Sequence, residues 1–156
     1  MAMGNLIIRK AERKDLDTLL RFEQELINTE RPFDPTIKTV PTRYYDLEEM
    51  IRAEHIELVV AEINDRVVGS GYARIEAAKP FLQHARYAYL GFMYVEPAFR
   101  GRSVNKVVLD YLIEWAATRG LKEVRLDVYF ANEAAISAYE KAGFTKLVVE
   151  MRRETE

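Results

Sequence analysis

The run Val95-Glu96-Pro97-Ala98-Phe99-Arg100-Gly101-Arg102-Ser103-Val104-Asn105-Lys106 holds the residue types with the clearest chemical purpose in this chain. An apolar strand ends at Val95, Pro97 stops it, and a Gly/Arg turn leads into an amphipathic helix. A strand that empties into a helix start leaves several backbone N–H groups without intrahelical acceptors, at the positive end of the helix dipole. Phosphate groups bind well there, and Arg100, Arg102 and Lys106 add charge for more than one of them. The chemistry expected is the cradling of a diphosphate. An ordinary solvated basic turn is the competing reading. Neither GxxxxGK[ST] nor a helix-opening GxGxxG occurs, so a P-loop is excluded and a dinucleotide fold gains no support.

A second stretch, Asn132-Glu133-Ala134-Ala135-Ile136-Ser137-Ala138-Tyr139-Glu140-Lys141-Ala142-Gly143-Phe144, has its own local physics. Asn132 is a favoured helix N-cap. Ala134, Ala135, Ala138 and Ala142 allow close approach of the helix backbone to a neighbour. Tyr139 follows the cap by two turns and lies on its side of the helix. By itself it reads first as a core aromatic with its hydroxyl at the rim.

These stretches need a domain to hold them. With 156 residues, 49% apolar and 31% charged with both signs interspersed, the composition predicts one soluble globular domain over 1–156. A net charge of −2 argues against a dedicated nucleic-acid binder. Cysteine is absent, which removes thiolate nucleophiles, Cys-ligated zinc and disulfides together and fits a reducing cytoplasm. His55 and His84 are far apart without HExxH spacing, so no metal is expected. No apolar leader or 18-residue span appears, so no membrane is expected; Met1-Ala2 reads as a cloning remnant ahead of Met3.

Leu6 to Arg9 predicts a first strand and residues 12–28 a helix, with Leu16, Leu19, Leu20, Phe22, Leu26 and Ile27 at helical spacing. Thr29 to Pro41, with three prolines, predicts a long loop, and Tyr44 to Glu54 a second helix. Glu57 to Ile63 and Val67 to Ile75 read as strands joined by an Asn64-Asp65-Arg66 turn. Tyr87 to Val95 is a nearly all-apolar strand suited to a sheet centre. Residues 103–119 then form a helix capped by Gly120, and Val124, Leu126 and Val128 alternate as a strand. A helix from Asn132 to Ala142 and a last strand from Phe144 to Met151 complete a βααβββαβαβ order. A mixed sheet with helices on both faces is the economical arrangement.

Together, the strand–turn–helix over residues 95–106 and the later N-x-x-A-x-x-x-Y-x-x-x-G-F spacing resemble the GNAT superfamily of N-acetyltransferases. The resemblance covers residues 90–145 motif by motif and the whole chain in element order. It implies a mixed, mostly antiparallel sheet splayed at the fourth strand, and transfer of an acetyl group from acetyl-CoA to an amine. It further implies that backbone groups of Met93, Tyr94 and Val95 pair with the pantetheine amides. Gly101, Arg102, Ser103, Val104, Asn105 and Lys106 would hold the pyrophosphate, Asn132 would contact the pantetheine arm, and Tyr139 would lie next to the thioester sulfur.

Two positions depart from the pattern. Relatives usually carry glycine where this chain has Ser103 and Asn105, and glycine there lets the diphosphate touch the backbone. Ser103 is expected to serve as an N-cap with a hydroxyl donor; Asn105 either crowds the diphosphate or donates to it. The fourth strand has no carboxylate at Leu90-Gly91-Phe92-Met93. Asp127 matches the acid that some protein N-terminal acetyltransferases of the superfamily use as base, and reads equally as a surface strand residue or a partner of Arg125 or Lys122. Glu62, Glu76 and Tyr89 are weaker candidates.

With no cysteine, direct attack in a ternary complex is expected over an acyl-enzyme. The acceptor is expected to be a small amine or a protein or peptide amine. It would be met by the Pro80 hairpin and by the first two helices with the loop between them, Glu23 to Tyr45, where Phe33, Tyr44 and Tyr45 would flank an apolar acceptor. There Glu23, Glu25, Glu30 and Asp34 either attract a cation or form a solvated acidic face. A homodimer is the expected assembly. The alternative class is a catalytically weak acyl-CoA-binding or interaction module.

Overall fold

The computed structural model describes residues 4–156, so the reading of Met1-Ala2 lies outside the described residues. The chain divides into two units, one ending at Leu126 and the other running from Asp127 to Glu156.

In the first unit, alternating apolar residues build β1 (Leu6–Lys10), β2 (Ile56–Ile63), β3 (Arg66–Ala77) and β4 (Arg86–Val95), and β5 is the short Val124–Arg125. The strands lie in sequence order in one sheet. Pairing is antiparallel except between β4 and β5. The β2–β3 turn has Asn64 at φ 50° and Asp65 at φ 65°, the left-handed pair that a two-residue hairpin with matching twist demands.

Helices cover both faces. On one, α1 (Leu16–Glu30) and α2 (Leu47–Arg52) contribute Leu19, Phe22, Leu47 and Met50 to a core with Leu58, Val60, Tyr72, Phe92 and Tyr94. On the other lies α3 (Val104–Thr118), so close to β3 that a Cβ on Gly71 would come within 2.8 Å of Val108 Cγ1. Gly120, at φ 75°, follows its end as expected. The stretch read as a second helix from Tyr44 starts only at Leu47, because Asp46 caps it by accepting from Glu49 N.

The second unit holds one helix, α4 (Glu133–Lys141). Two expectations are corrected here. The strand read through Val128 stops at Arg125, and Phe144 to Met151 forms no strand within the chain. Alternation supplies a pleated face, but a strand exists only where a neighbour takes up its ladder of N–H and C=O groups.

Candidate active site

The fourth strand is broken where a ligand-binding edge would need it. Ser70 faces Tyr94 but Tyr72 faces Gly91, so Gly71 stands opposite two residues, Phe92 and Met93. Phe92 takes the strain of this bulge at φ 54°, and Ser70 Oγ donates to its carbonyl at 2.9 Å. Glycines make room: a Cβ on Gly91 would lie 2.6 Å from the Tyr72 ring, and one on Gly71 2.8 Å from Met93 Sδ. On its other side, β4 pairs with β5 only at Ala88 and Tyr89. From Leu90 to Val95 that edge has no strand partner among the described residues. This is the splay the resemblance implied.

Nine of the expected site residues meet where this open edge ends. Met93, Tyr94 and Val95 finish β4, Gly101, Arg102 and Ser103 form the turn, and Val104, Asn105 and Lys106 make the first turn of α3. Val95, Gly101, Ser103, Val104 and Asn105 line a cleft of about 120 Å³ with Phe99 and Arg100. The N–H groups of Val104, Asn105 and Lys106 have no intrahelical acceptor, because the first helical bond is from Val107 N to Ser103 O. Gly101 has φ 77° and open space on its Cβ side. The arrangement can hold an anion against main-chain donors.

Three features were not legible beforehand. Ser103 occupies the N-cap position but in the left-handed region, φ 65°, and its side chain makes no capping bond. The expectation that it caps through its hydroxyl is thus corrected: the backbone conformation that glycine tolerates has turned the side chain away. A left-handed non-glycine residue costs about 1 kcal/mol. Ser103→Gly is therefore expected to stabilise the protein by that amount, read as a melting temperature roughly 2–4 °C higher. The second feature is Arg100. Its Nε donates to Val95 O at 2.8 Å and its guanidinium lies over Tyr94, so a carbonyl at the open edge is already occupied. Lys106, likewise, is engaged with Asp110 at 2.7 Å.

The third is Glu96, buried directly after the strand. Its carboxylate accepts from Arg21 of α1 at 2.9 and 3.3 Å and from Arg66 of β3 at 3.3 Å. Arg66 and Arg102 both lie over the Phe99 ring, at 5.3 and 5.6 Å. One carboxylate thus moors the turn to α1 and to the β2–β3 hairpin. The Arg21 hydrogen bond, against the cost of burial, holds the Glu96 carboxyl below its ordinary value, with Arg66 assisting. At Asp15 burial pushes upward, but the Arg9 and Glu12 bonds prevail and its carboxyl also sits low.

Both groups bind protons more weakly folded than unfolded. The stability they supply is present above the ordinary carboxyl range, near pH 4, and is lost as pH falls through the lowered folded values. Melting temperatures measured from pH 7 downward should fall steeply below about pH 4, and less steeply in Glu96→Gln.

The acidic residues of α1 and of the segment after it do not form one face. Glu23 is wholly buried and accepts from Tyr44 N at 2.8 Å, Tyr45 N at 2.7 Å and Arg43 Nε at 2.9 Å. It pins the connection into α2. Burial raises the Glu30 carboxyl above its ordinary value despite a hydrogen bond with Tyr44. Asp34 accepts from Thr36 N at 2.9 Å in a local turn. Of the other base candidates, Glu62 is engaged by Arg9 and Glu76 by Arg74, each through a bond of 2.8 Å. Tyr89 belongs to an aromatic cluster with Tyr72, Tyr45 and Phe92, and Arg74 lies over both Tyr72 and Tyr89.

In the second unit Asp127 is exposed. Asn132 caps α4 by accepting from Ala135 N at 3.2 Å. Tyr139 lies two turns on, its ring edge-on to Phe144 at 5.8 Å. Gly143, at φ 99°, and the bond from Phe144 N to Tyr139 O close the helix in a Schellman turn.

A bulged strand with one unpaired edge thus runs into a helix start whose N–H groups lack intrahelical acceptors. The chain belongs to the acetyltransferase (GNAT) family, whose model matches residues 23–144. An uncharacterized N-acetyltransferase of Methanocaldococcus jannaschii is 28% identical over 150 residues, covering 92% of this chain and 64% of that protein. The chain spans less than two thirds of the length of the curated relatives it matches. Among solved structures, a mutant protein from Bacillus halodurans superposes with a TM-score of 0.86 at 16% identity, over 96% of this chain and 99% of that one. A predicted acetyltransferase with acetyl-CoA from Clostridium acetobutylicum superposes with a TM-score of 0.72 at 19% identity, over 96% of both chains. These superpositions show that the fold is shared.

Proposed function

We propose that the protein is an N-acetyltransferase that uses acetyl-CoA to acetylate a primary amine, acting as a homodimer in a reducing compartment. The observation that carries this reading is the cleft at Val95, Gly101, Ser103, Val104 and Asn105, set between unbonded helix N–H groups and an open strand edge. A diphosphate suits the donors, and amides of a pantetheine arm suit Met93 to Val95 as an added strand, with Arg100 leaving Val95 O. Arg102 and Lys106 supply charge. The acetyl-CoA present in the Clostridium acetobutylicum structure supports the choice of ligand.

The chemistry is direct transfer. The neutral amine nitrogen attacks the thioester carbonyl carbon, the C–S bond breaks, and the CoA thiolate leaves while the amine loses a proton. In this reading Asp127 takes that proton, Asn132 contacts the pantetheine arm, and Tyr139 protonates the departing thiolate. A phenol of ordinary pKa near 10 is suited to this because it stays protonated at neutral pH. The acceptor, a small amine or a peptide amine, is received by the segment pinned by Glu23 and by the tyrosine cluster at the bulge.

The test is calorimetry with acetyl-CoA combined with thiol release over a panel of amines. Saturable binding with turnover on at least one amine supports the enzyme. Binding without turnover on any amine favours the acyl-CoA-binding module, and no binding removes both.

A further inference from the structure

A cation stands beside the bulge with no part in the chemistry above. Arg74 lies on β3 two residues beyond Tyr72, and the residue opposite it is Tyr89, two residues before Gly91 on β4. Tyr72 and Tyr89 both pack against the core under α1 and α2, and the pleat puts Arg74 on that same face. Its guanidinium carbon is 5.4 Å from the ring centre of Tyr72 and 5.4 Å from that of Tyr89. Glu76 accepts from Arg74 Nε at 2.8 Å, and the same oxygen lies 2.6 Å from Nη2. All of these residues belong to the unit ending at Leu126.

An arginine side chain loses much rotamer freedom when it is fixed, and here two ring faces and a carboxylate have already fixed it. Glu76 takes the Nε side, so the Nη1 end can hold an anion without displacing it. The order along the strand sets the sign of the field. Glu76 lies on the side of Arg74 away from the bulge, so the pair turns its positive end toward Gly91. The next pair faces the other way. Arg125, opposite Tyr89 on β5, bonds to Glu123 and lies over Tyr87 at 4.7 Å, farther from the bulge.

We infer that Arg74 binds a carboxylate carried by the acceptor, which makes the substrate a small amine that is also an acid, such as a free amino acid. The inference rests on the acetyl-transfer reading and narrows its acceptor. Tyr89 and Gly91 are two residues apart, roughly 7 Å along a strand, so an amine at the bulge and a carboxylate at Arg74 fit on one small molecule.

The test is thiol release by the full chain with acetyl-CoA, comparing free amino acids with their carboxamides. Amides are the weaker bases, so rates are expressed per neutral amine. On that scale the wild-type protein should prefer the acids. Arg74→Gln should lower the acid-to-amide ratio of kcat/KM by about thirtyfold, the loss of one hydrogen-bonded charge pair. Glu76→Gln should act with the opposite sign, because it leaves Arg74 without its counter-charge and raises the ratio. An ion pair that serves the fold alone would make the two variants behave alike. A wild-type preference for amides overturns the proposal and leaves acetyl transfer standing, as does an unchanged ratio in Arg74→Gln or a lowered one in Glu76→Gln. No thiol release with any amine removes both.

Discussion

Glu23→Ala is expected to lower the unfolding free energy by about 3 kcal/mol, a melting temperature reduced by roughly 6–12 °C. The residue is wholly buried, yet its two oxygens satisfy three donors: Tyr44 N, Tyr45 N and Arg43 Nε. Alanine leaves two main-chain N–H groups without an acceptor beside the core, and the desolvation cost of each is about 1–3 kcal/mol. Arg43 is half exposed and can turn to water, so its share of the loss is small. The damage is also selective. The connection into α2 loses its mooring, whereas the Glu96 clamp and the turn before α3 keep theirs. The KM for the amine should therefore rise well beyond that for acetyl-CoA, and equal effects on both would show that Glu23 supports the fold alone.

Tyr139→Phe is expected to reduce kcat by about a hundredfold, with the KM for acetyl-CoA nearly unchanged. The substitution removes one hydroxyl and keeps the ring that lies edge-on to Phe144, so α4 and its Schellman closure remain. On the proposed mechanism, what is lost is the proton offered to the leaving thiolate. Thiol release under saturating acetyl-CoA reads this directly, with circular dichroism as the control for folding. An unchanged kcat would take Tyr139 out of the mechanism and turn attention to Tyr45 and Tyr89, the half-buried phenols of the cluster beside the bulge.

Much of the frame was legible because its signals are local. The Asn64-Asp65 turn needs two left-handed residues and uses types that accept them. The helix over 103–119 repeats its apolar side at helical spacing, and the strand into Val95 is apolar on both faces. The nine residues around the turn were legible for the same reason, since they lie within fourteen consecutive positions.

What stayed hidden depends on partners distant in sequence. Glu23 looked like one of several surface acids, though it follows Leu19 and precedes Ile27 by four residues each, on the buried stripe of α1. That spacing was the available clue. Glu96 gave no clue of its own, because Arg21 and Arg66 are 75 and 30 residues away. Phe144 to Met151 has strand-like side chains, but pleating is a property of a pair, and no strand pairs with it among the described residues. Ser103 shows the converse: its departure from glycine was plain, and its cost became clear only with φ.

The Glu96 clamp can close only after distant parts of the chain have met. Arg21, Arg66 and Glu96 come from three separate stretches of chain, and closing long loops is slow compared with winding a helix. Refolding followed by far-ultraviolet signal should finish before the proposed capture of a diphosphate returns. A nascent chain would thus acquire its shape first and its grip last.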